Sequence, residues 1–388
     1  MRRTLIISPS VRTAAEGDEL FMDEKAVAGL RLYARYWGGP VRCLMRSGDR
    51  KDIVFGRFYK KSDLGFDVEI ISDDLVFSRG SYDDAAIVLA AGDNHHDFNT
   101  AKICGCPVVF VIENTLSTRL RILSLEGGSL LKKTKSAIWA ILTERNRRLV
   151  FSEAAGIQAN GKPAFDAYRG VTSDPMLYFD TRVSEDQVAT MVEIERKRGQ
   201  SKNVQPLRMA FSGRLERLKG VDHLVPVLQK LADNGMSFTF DIFGSGSLRP
   251  EIEKAVRVAG LDDRVILHGP VSFNEVLLPY LKSNIDMFIC CHRQSDPSCT
   301  YIETLACGVP IVGYDNAAFR GVLELGNVGE SVPMNNTTAL ARAILAIEQD
   351  RSRLRAMAVC AIDVAFKHSF EATYLRRVRH LEALAARV

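Results

Sequence analysis

Short apolar runs recur along the chain, each followed by a longer amphipathic segment, and this rhythm constrains the fold more than any other feature. In the first half the runs are residues 5–7, 86–91, 108–112 and 149–151; in the second they are residues 209–211, 238–243, 265–267, 287–291 and 310–313. A short, wholly apolar run suits a strand buried on both faces of a parallel sheet, and its alternation with helices predicts doubly wound α/β domains. At 388 residues the chain exceeds one ordinary core, so two such domains are expected. Residues 181–204 are polar, include the run ERKRGQSKN and offer little for a core; they are read as the linker between domains at residues 1–180 and 205–369. In residues 370–388, Tyr374, Val378, Leu381 and Leu384 repeat at three- and four-residue spacing among arginines, which predicts an amphipathic helix that docks on another element.

Several classes fall away. With 46% hydrophobic and 25% charged residues the chain is neither disordered nor collagen-like. The eight cysteines form no CxxC pair and have no histidines at zinc-finger spacing, so they are read as buried core and no metal is expected. The start, MRRTLIISPSVR, regains charge at Arg12 before a signal core is complete, and no uncharged apolar run approaches the roughly 18 residues of a spanning helix. The expected place is the cytoplasm, in solution or on the membrane face. A net charge of +4 without a helix-turn-helix, zinc-finger or RNP pattern gives no reason to expect nucleic acid as a partner.

The chemistry concentrates in the second half. After the run ending at Phe211 comes Ser212-Gly213-Arg214, then Lys219-Gly220 opening a helical segment. Glycine lets the backbone approach a ligand, while an arginine fork and a lysine five residues on can converge on phosphate oxygens; together they outline a diphosphate site. A second strand-to-helix turn is Gly244-Ser245-Gly246. A third loop contains Ser295, Asp296 and Pro297, then Ser298, Cys299 and Thr300, whose amides and hydroxyls open a helix carrying Glu303. Glu303 is placed to accept hydrogen bonds from two ribose hydroxyls.

GRLERLKG, IFGSGSL, IDMFICCHRQSDPSCTYIETLACGVPIV and NVGESVP occur in this order over at least residues 207–333. In this the chain resembles glycosyltransferase family 4, retaining enzymes of the GT-B fold with two facing Rossmann-like domains and a cleft between them. The resemblance implies a nucleotide-diphosphate sugar as substrate, UDP or GDP form unresolved, and no other cofactor. It implies that Arg214 and Lys219 meet the donor diphosphate, that Gly213, Gly244, Ser298, Cys299 and Thr300 line its path, and that Glu303 is the second glutamate of the E-x7-E motif, on the ribose. The first glutamate of that motif falls at Ser295, with Asp296 the acid beside it. The base is expected on backbone groups around residues 269–271.

The first half is less like the family. The glycine-rich loop expected after the first strand has its counterpart in Glu16-Gly17-Asp18, placing Gly17 toward the donor phosphates. Where the family carries a histidine after a middle strand, this chain has Glu113-Asn114-Thr115. A carboxylate there suits a nucleophile, a base or a stabiliser of positive charge, so Glu113 joins Arg214 and Lys219 as a catalytic candidate. His95, His96 and Asn114 are acceptor-side candidates. Arg119, Arg121, Lys132, Lys133, Lys135, Arg145, Arg147 and Arg148, interleaved with Leu, Ile and Trp139, suit an anionic membrane surface and a glycan or lipid-linked acceptor. The alternative is a noncatalytic sugar-nucleotide-binding protein on the same fold.

Overall fold

The structure is a computed structural model and describes residues 4–53, 55–72, 77–125, 129–200 and 206–387. The chain divides into two compact units, one of Met1–Leu116, Thr134–Tyr178 and Glu371–Val388, the other of Ser117–Lys133 and Phe179–Phe370. Both are Rossmann-like, each built on a largely parallel sheet with helices packed on it.

The strands of the first unit are β1 (Thr4–Ser8), β2 (Arg12–Glu16), β3 (Glu19–Asp23), β4 (Val41–Ser47), β5 (Gly56–Lys60), β6 (Asp67–Ile71), β7 (Ala85–Ala91), β8 (Val108–Ile112), β9 (Gly156–Asn160) and β10 (Pro175–Tyr178). They lie in the order β10-β9-β8-β7-β1-β4-β2-β3-β5, with β6 also on β4. From β10 through β4 the pairing is parallel. The central strands are apolar throughout because both faces are covered. Ile6, Val88 and Phe110 pack with Phe151 and Tyr168 on one face; Leu5, Leu89 and Val109 join Leu30, Tyr33, Val378 and Leu381 in the cluster on the other. The helix Phe370–Ala385 thus completes a core begun at the fifth residue. Its Tyr374 ring lies 5.0 Å from Tyr33, and Arg377 Nε donates to Gln158 Oε1 at 2.8 Å.

Three expectations need correction. Residues 149–151 are not a strand but part of the helix Leu130–Glu153, with Val150 and Phe151 turned into the core and Leu149 to solvent. Gly17 does not lead from a strand into a helix; it tips an antiparallel hairpin of β2 and β3, with β5 on its outer edge, and its surroundings are open. The supposed linker is partly ordered core. Its helix Met191–Gln200 packs on the helix Leu278–Asn284, and buried Lys197 donates to Ile285 O at 2.8 Å. Burial pushes that amine down to about 8. Residues 201–204 of the expected linker lie outside the described residues.

The second unit contains β11 (Leu207–Ser212), β12 (Phe238–Phe243), β13 (Val265–Gly269), β14 (Met287–Cys290), β15 (Ile311–Tyr314) and β16 (Gly329–Val332), all parallel, in the order β13-β12-β11-β14-β15-β16. The strand order reverses between β11 and β14. In such sheets the ligand crevice lies beyond the carboxyl ends of the strands at that reversal. Among the described residues no helix is long and apolar enough to cross a membrane.

Candidate functional site

The loops leaving β11, β12 and β14 are tied to one another at the reversal point through their backbones. Gly213 N donates to Phe243 O at 3.0 Å, Gly244 N to Gly269 O at 2.8 Å, Leu215 N to Ser245 O at 2.9 Å and Arg293 N to Leu218 O at 3.0 Å. Two of these approaches require glycine. A Cβ on Gly244 would stand 2.0 Å from Gly213 O, and one on Gly220 1.9 Å from Cys291 O, with φ at +121° and +66° respectively. Glu216 braces the β11 loop by accepting from Ser247 N at 2.8 Å and Ser247 Oγ at 2.7 Å, bonds that hold its carboxyl below the usual range.

Lys219 ends the single 3-10 turn Arg217–Lys219, and Gly220 terminates that turn in the left-handed region. The regular helix starts only at Leu224, four residues later than the sequence suggested. The Lys219 side chain is buried, with Nζ 3.4 Å from Asp296 Oδ2 on the loop beyond β14, so this cation bridges the two sides of the reversal point. Asp296 Oδ1 is buried and has no hydrogen-bond partner among the described residues. Arg214 is exposed and makes no side-chain hydrogen bond or ion pair among them. Arg293, close in the same loops, is already spent on a bidentate pair with Asp222 at 2.8 and 2.9 Å.

The β14 loop holds the remaining second-unit candidates. Burial raises the Cys290 thiol to about 11 and, with Lys219 nearby, holds the His292 imidazole well below its usual range, so both are neutral. Ser295, where the resemblance expects a glutamate, accepts from Ala317 N at 3.2 Å and serves the start of the helix Ala317–Leu323. Ser298 Oγ donates to Thr300 Oγ1 at 3.1 Å, and Cys299 Sγ to Asp180 Oδ2 at 3.4 Å, just ahead of the helix Thr300–Ala306. Glu303 on that helix is buried, and both its oxygens accept from Arg182, Nε at 2.7 Å and Nη2 at 3.0 Å. Sequence reading missed Arg182 because it falls in the stretch taken for a linker.

The first unit has its own cluster at the carboxyl ends of β7, β8 and β9. Asp93, just beyond β7, accepts from Glu113 N at 2.7 Å, from Asn114 N at 3.3 Å and from buried Arg147 Nη2 at 2.6 Å. It thereby fixes the backbone that presents Glu113. Asn160 Nδ2, at the end of β9, donates to Glu113 Oε1 at 3.5 Å, leaving the carboxylate exposed but oriented. On the same loop as Asp93 the His95 and His96 rings lie 4.0 Å apart, His95 edge-on to Trp139 at 6.0 Å. Asp93 and Asn160 were not legible in the sequence, since each acts through partners 20 or more residues away along the chain. No group of His, Cys, Asp and Glu suited to hold a metal occurs among the described residues.

Glycine-edged loops, a buried ammonium and a buried carboxylate at a strand-order reversal are fit to receive a diphosphate and a vicinal diol. Residues 193–361 match the sequence family described as Glycosyl transferases group 1. Beyond it, the chain is 28% identical over 163 residues to an alpha-D-kanosaminyltransferase of Streptomyces kanamyceticus, covering 42% of each, and 31% identical over 106 residues to a 2-deoxystreptamine glucosyltransferase of the same organism, covering 27% of each. The chain thus spans less than half the length of these curated relatives. Among solved structures, Anabaena Alr3699/HepE in complex with UDP aligns with a TM-score of 0.66 at 15% identity, covering 99% of this chain and 100% of that one. Sucrose-phosphate synthase from Thermosynechococcus elongatus gives 0.67 at 15% identity over the whole of both chains. At this level of identity the likeness shows the fold, α/β with two parallel-sheet Rossmann-like domains.

Proposed function

We propose that the protein is a retaining glycosyltransferase that moves a hexose-type sugar from a nucleotide-diphosphate sugar to a glycan or lipid-linked acceptor. The observation that carries this reading is Lys219, a buried ammonium held across the strand-order reversal by Asp296, among loops whose glycines let their backbones meet closely. As the sugar departs, charge grows on the diphosphate. Lys219 and exposed Arg214 stabilise it without a metal, each by about 3 kcal/mol if they act as preorganised donors elsewhere do. Gly213 and Gly244 give the phosphates backbone access, the amides of Ser298, Cys299 and Thr300 add donors, Asp296 meets sugar hydroxyls, and Glu303 takes the ribose. On the first unit we assign the carboxylate that supports the reacting carbon to Glu113, and acceptor contacts to Asn114, His95 and His96. The relatives' names describe sugar transfer, and the HepE structure holds UDP, which makes UDP-sugars the first donors to try.

The helix Leu130–Glu153 supports a lipid-linked acceptor. Opposite its packed residues Ala140, Glu144, Arg147 and Phe151 it exposes Leu131, Ile138, Leu142 and Leu149 among Lys132, Lys135, Arg145 and Arg148. Each cation near an anionic leaflet adds about 1 kcal/mol of attraction, which suits a peripheral place on the cytoplasmic membrane face and a role in surface polysaccharide or glycolipid synthesis.

Thermal shift with UDP-, GDP- and ADP-sugars, followed by nucleotide release in the presence of membrane extract, tests this reading. Stabilisation by one donor with turnover supports it, and Lys219→Ala should weaken that stabilisation. Binding without turnover on any acceptor favours a noncatalytic sugar-nucleotide-binding protein, the reading suggested by Ser295 standing in place of a glutamate. Absence of both binding and turnover removes the proposal.

A further inference from the structure

A cavity of about 580 Å³ lies in the second unit at the amino ends of β14 and β15, the end of the sheet opposite the loops that carry Lys219 and Ser298. Its walls include Lys197 on the helix Met191–Gln200, Asp286 and Gly308 just ahead of the two strands, and Arg351 and Arg355 on the helix Arg351–Lys367. The volume suits a small organic molecule. Lys197 is 6% exposed, its Nζ donates to Ile285 O at 2.8 Å and to Gly308 O at 3.4 Å, and among the described residues it forms no ion pair. The carboxylates around it are engaged elsewhere. Asp286 takes Arg208 fork to fork at 2.9 and 3.0 Å, Glu348 accepts from Arg351 at 3.2 Å, Glu195 from Arg355 Nε at 3.0 Å and Glu193 from Thr190 N at 2.7 Å. Asp350 caps the helix Arg351–Lys367 by accepting from Arg353 N at 3.0 Å. The nearby Cys307 thiol, pushed up to about 12 by burial, is neutral, and Lys282 adds a further cation on the side of Cys307 and Glu193.

Two carbonyls thus fix two of the three directions around this nitrogen. In the ammonium the third direction holds a proton; in the neutral amine, which still donates to both carbonyls, it holds the lone pair. Burial without a paired carboxylate favours the neutral form, which is why the amine is pushed down to about 8. At pH 7 that raises the neutral fraction about three hundredfold over an ordinary lysine. Nucleophilicity falls with basicity and takes back roughly a factor of ten. The balance is a nucleophile on the wall of a cavity large enough to admit its reactant.

We propose that Lys197 is an acylation site, modified by small acyl phosphates that enter this cavity. The amine lone pair attacks the acyl carbon and a C–N bond forms. The bond from that carbon to the bridging oxygen breaks, its electron pair leaves on the phosphate, and the phosphate takes up the proton that the nitrogen loses. The products are an amide and hydrogen phosphate. Arg351 and Arg355 stand on the same walls and meet the phosphate's charge, which an uncharged acyl donor does not offer. The amide keeps one N–H for a carbonyl and carries no charge, so acylation ends the burial of an unpaired cation. Gly308 follows the helix Thr300–Ala306, so the modified nitrogen lies beside the end of the helix that carries Glu303.

Acetyl phosphate is the probe. The full chain is incubated with it across the range from pH 7 to pH 9, its melting transition checked at each pH, and acetyl occupancy is read by peptide mass spectrometry at Lys197 and at the exposed Lys102 and Lys254. At pH 7 Lys197 should gain acetyl at least tenfold faster than either. Its rate should level off above about pH 8, where a lysine in a short peptide still rises about tenfold per pH unit. Arg355→Gln, with an intact melting transition, should slow the reaction of Lys197 with acetyl phosphate severalfold and leave its reaction with p-nitrophenyl acetate, an uncharged acetyl donor, unchanged. On the wild type alone, a Lys197 that reacts no faster than the exposed pair at pH 7, or whose rate climbs through pH 9 without levelling, overturns the proposal. An equal effect of Arg355→Gln on both donors, or none on either, overturns the choice of acyl phosphates.

Discussion

Gly220→Ala tests whether the loop bearing Lys219 is held as tightly as its contacts imply. Two costs can be separated. Gly220 has φ of +66°, where an alanine loses roughly 1–2 kcal/mol to its own backbone. In addition its Cβ would stand 1.9 Å from Cys291 O, a backbone atom of the buried β14 edge, and must retreat to at least 3.0 Å, a displacement of at least about 1.1 Å. Such overpacking costs about 1–3 kcal/mol. Gly260 is the matched control, with φ of +61° and nothing within 4 Å of its added Cβ. In a unit of this size each kcal/mol moves Tm by about 2–4 °C. Gly260→Ala should therefore fall by about 4 °C, and Gly220→Ala by about 10 °C, in scanning calorimetry. The displacement also carries Lys219, and a misplacement of about 1 Å costs on the order of a hundredfold in rate. Donor turnover or nucleotide release should fall that far in Gly220→Ala and stay near wild type in Gly260→Ala. Equal losses of stability and activity in the two variants would refute the argument.

Lys219→Met should lower kcat/KM about a hundredfold, the equivalent of about 3 kcal/mol, measured by nucleotide release with the best donor; a change under threefold removes Lys219 from the reaction. Glu113→Gln should leave nucleotide affinity unchanged and reduce transfer, because the side chain belongs to the first unit and Asn160 still orients it; unchanged transfer ends its assignment. Buried Asp97, with Ser8 Oγ donating to its Oδ1 at 2.9 Å, is raised by desolvation from 3.8 to about 6. Between those values the folded chain keeps a proton that the unfolded chain has lost, so stability falls as pH rises through that window and is flat above it. Asp97→Asn should remove the slope, gaining about 3 kcal/mol over wild type at pH 8 and almost nothing at pH 4 in urea titrations; a gain independent of pH refutes the burial argument.

What the sequence revealed and concealed follows from how far each feature acts. The central strands were legible because a strand covered on both faces must be apolar throughout, as in residues 108–112 and 238–243. The same rule misled at residues 149–151, since a short apolar run inside a long helix carries no period of its own. The hairpin at Gly17 was hidden because β2 and β5 are half exposed and too polar to announce themselves. Arg214, Lys219 and Glu303 stood out as candidates from local spacing around strand ends. Arg182, Asp93 and Asn160 could not, because each matters only through a partner that folding brings near. Ser295 was recognised as a departure, but its service to Ala317 N needed coordinates.

The helix Phe370–Ala385 has a consequence for how the protein is made. Its Val378 and Leu381 sit in the same cluster as Leu5 and Leu89, so the first unit lacks part of its interior until translation has passed Leu381. The second unit, continuous from Phe179 to Phe370 apart from a short earlier piece, can close sooner. During synthesis the nascent first sheet therefore waits with an apolar face uncovered, a window in which chaperones or aggregation compete for it.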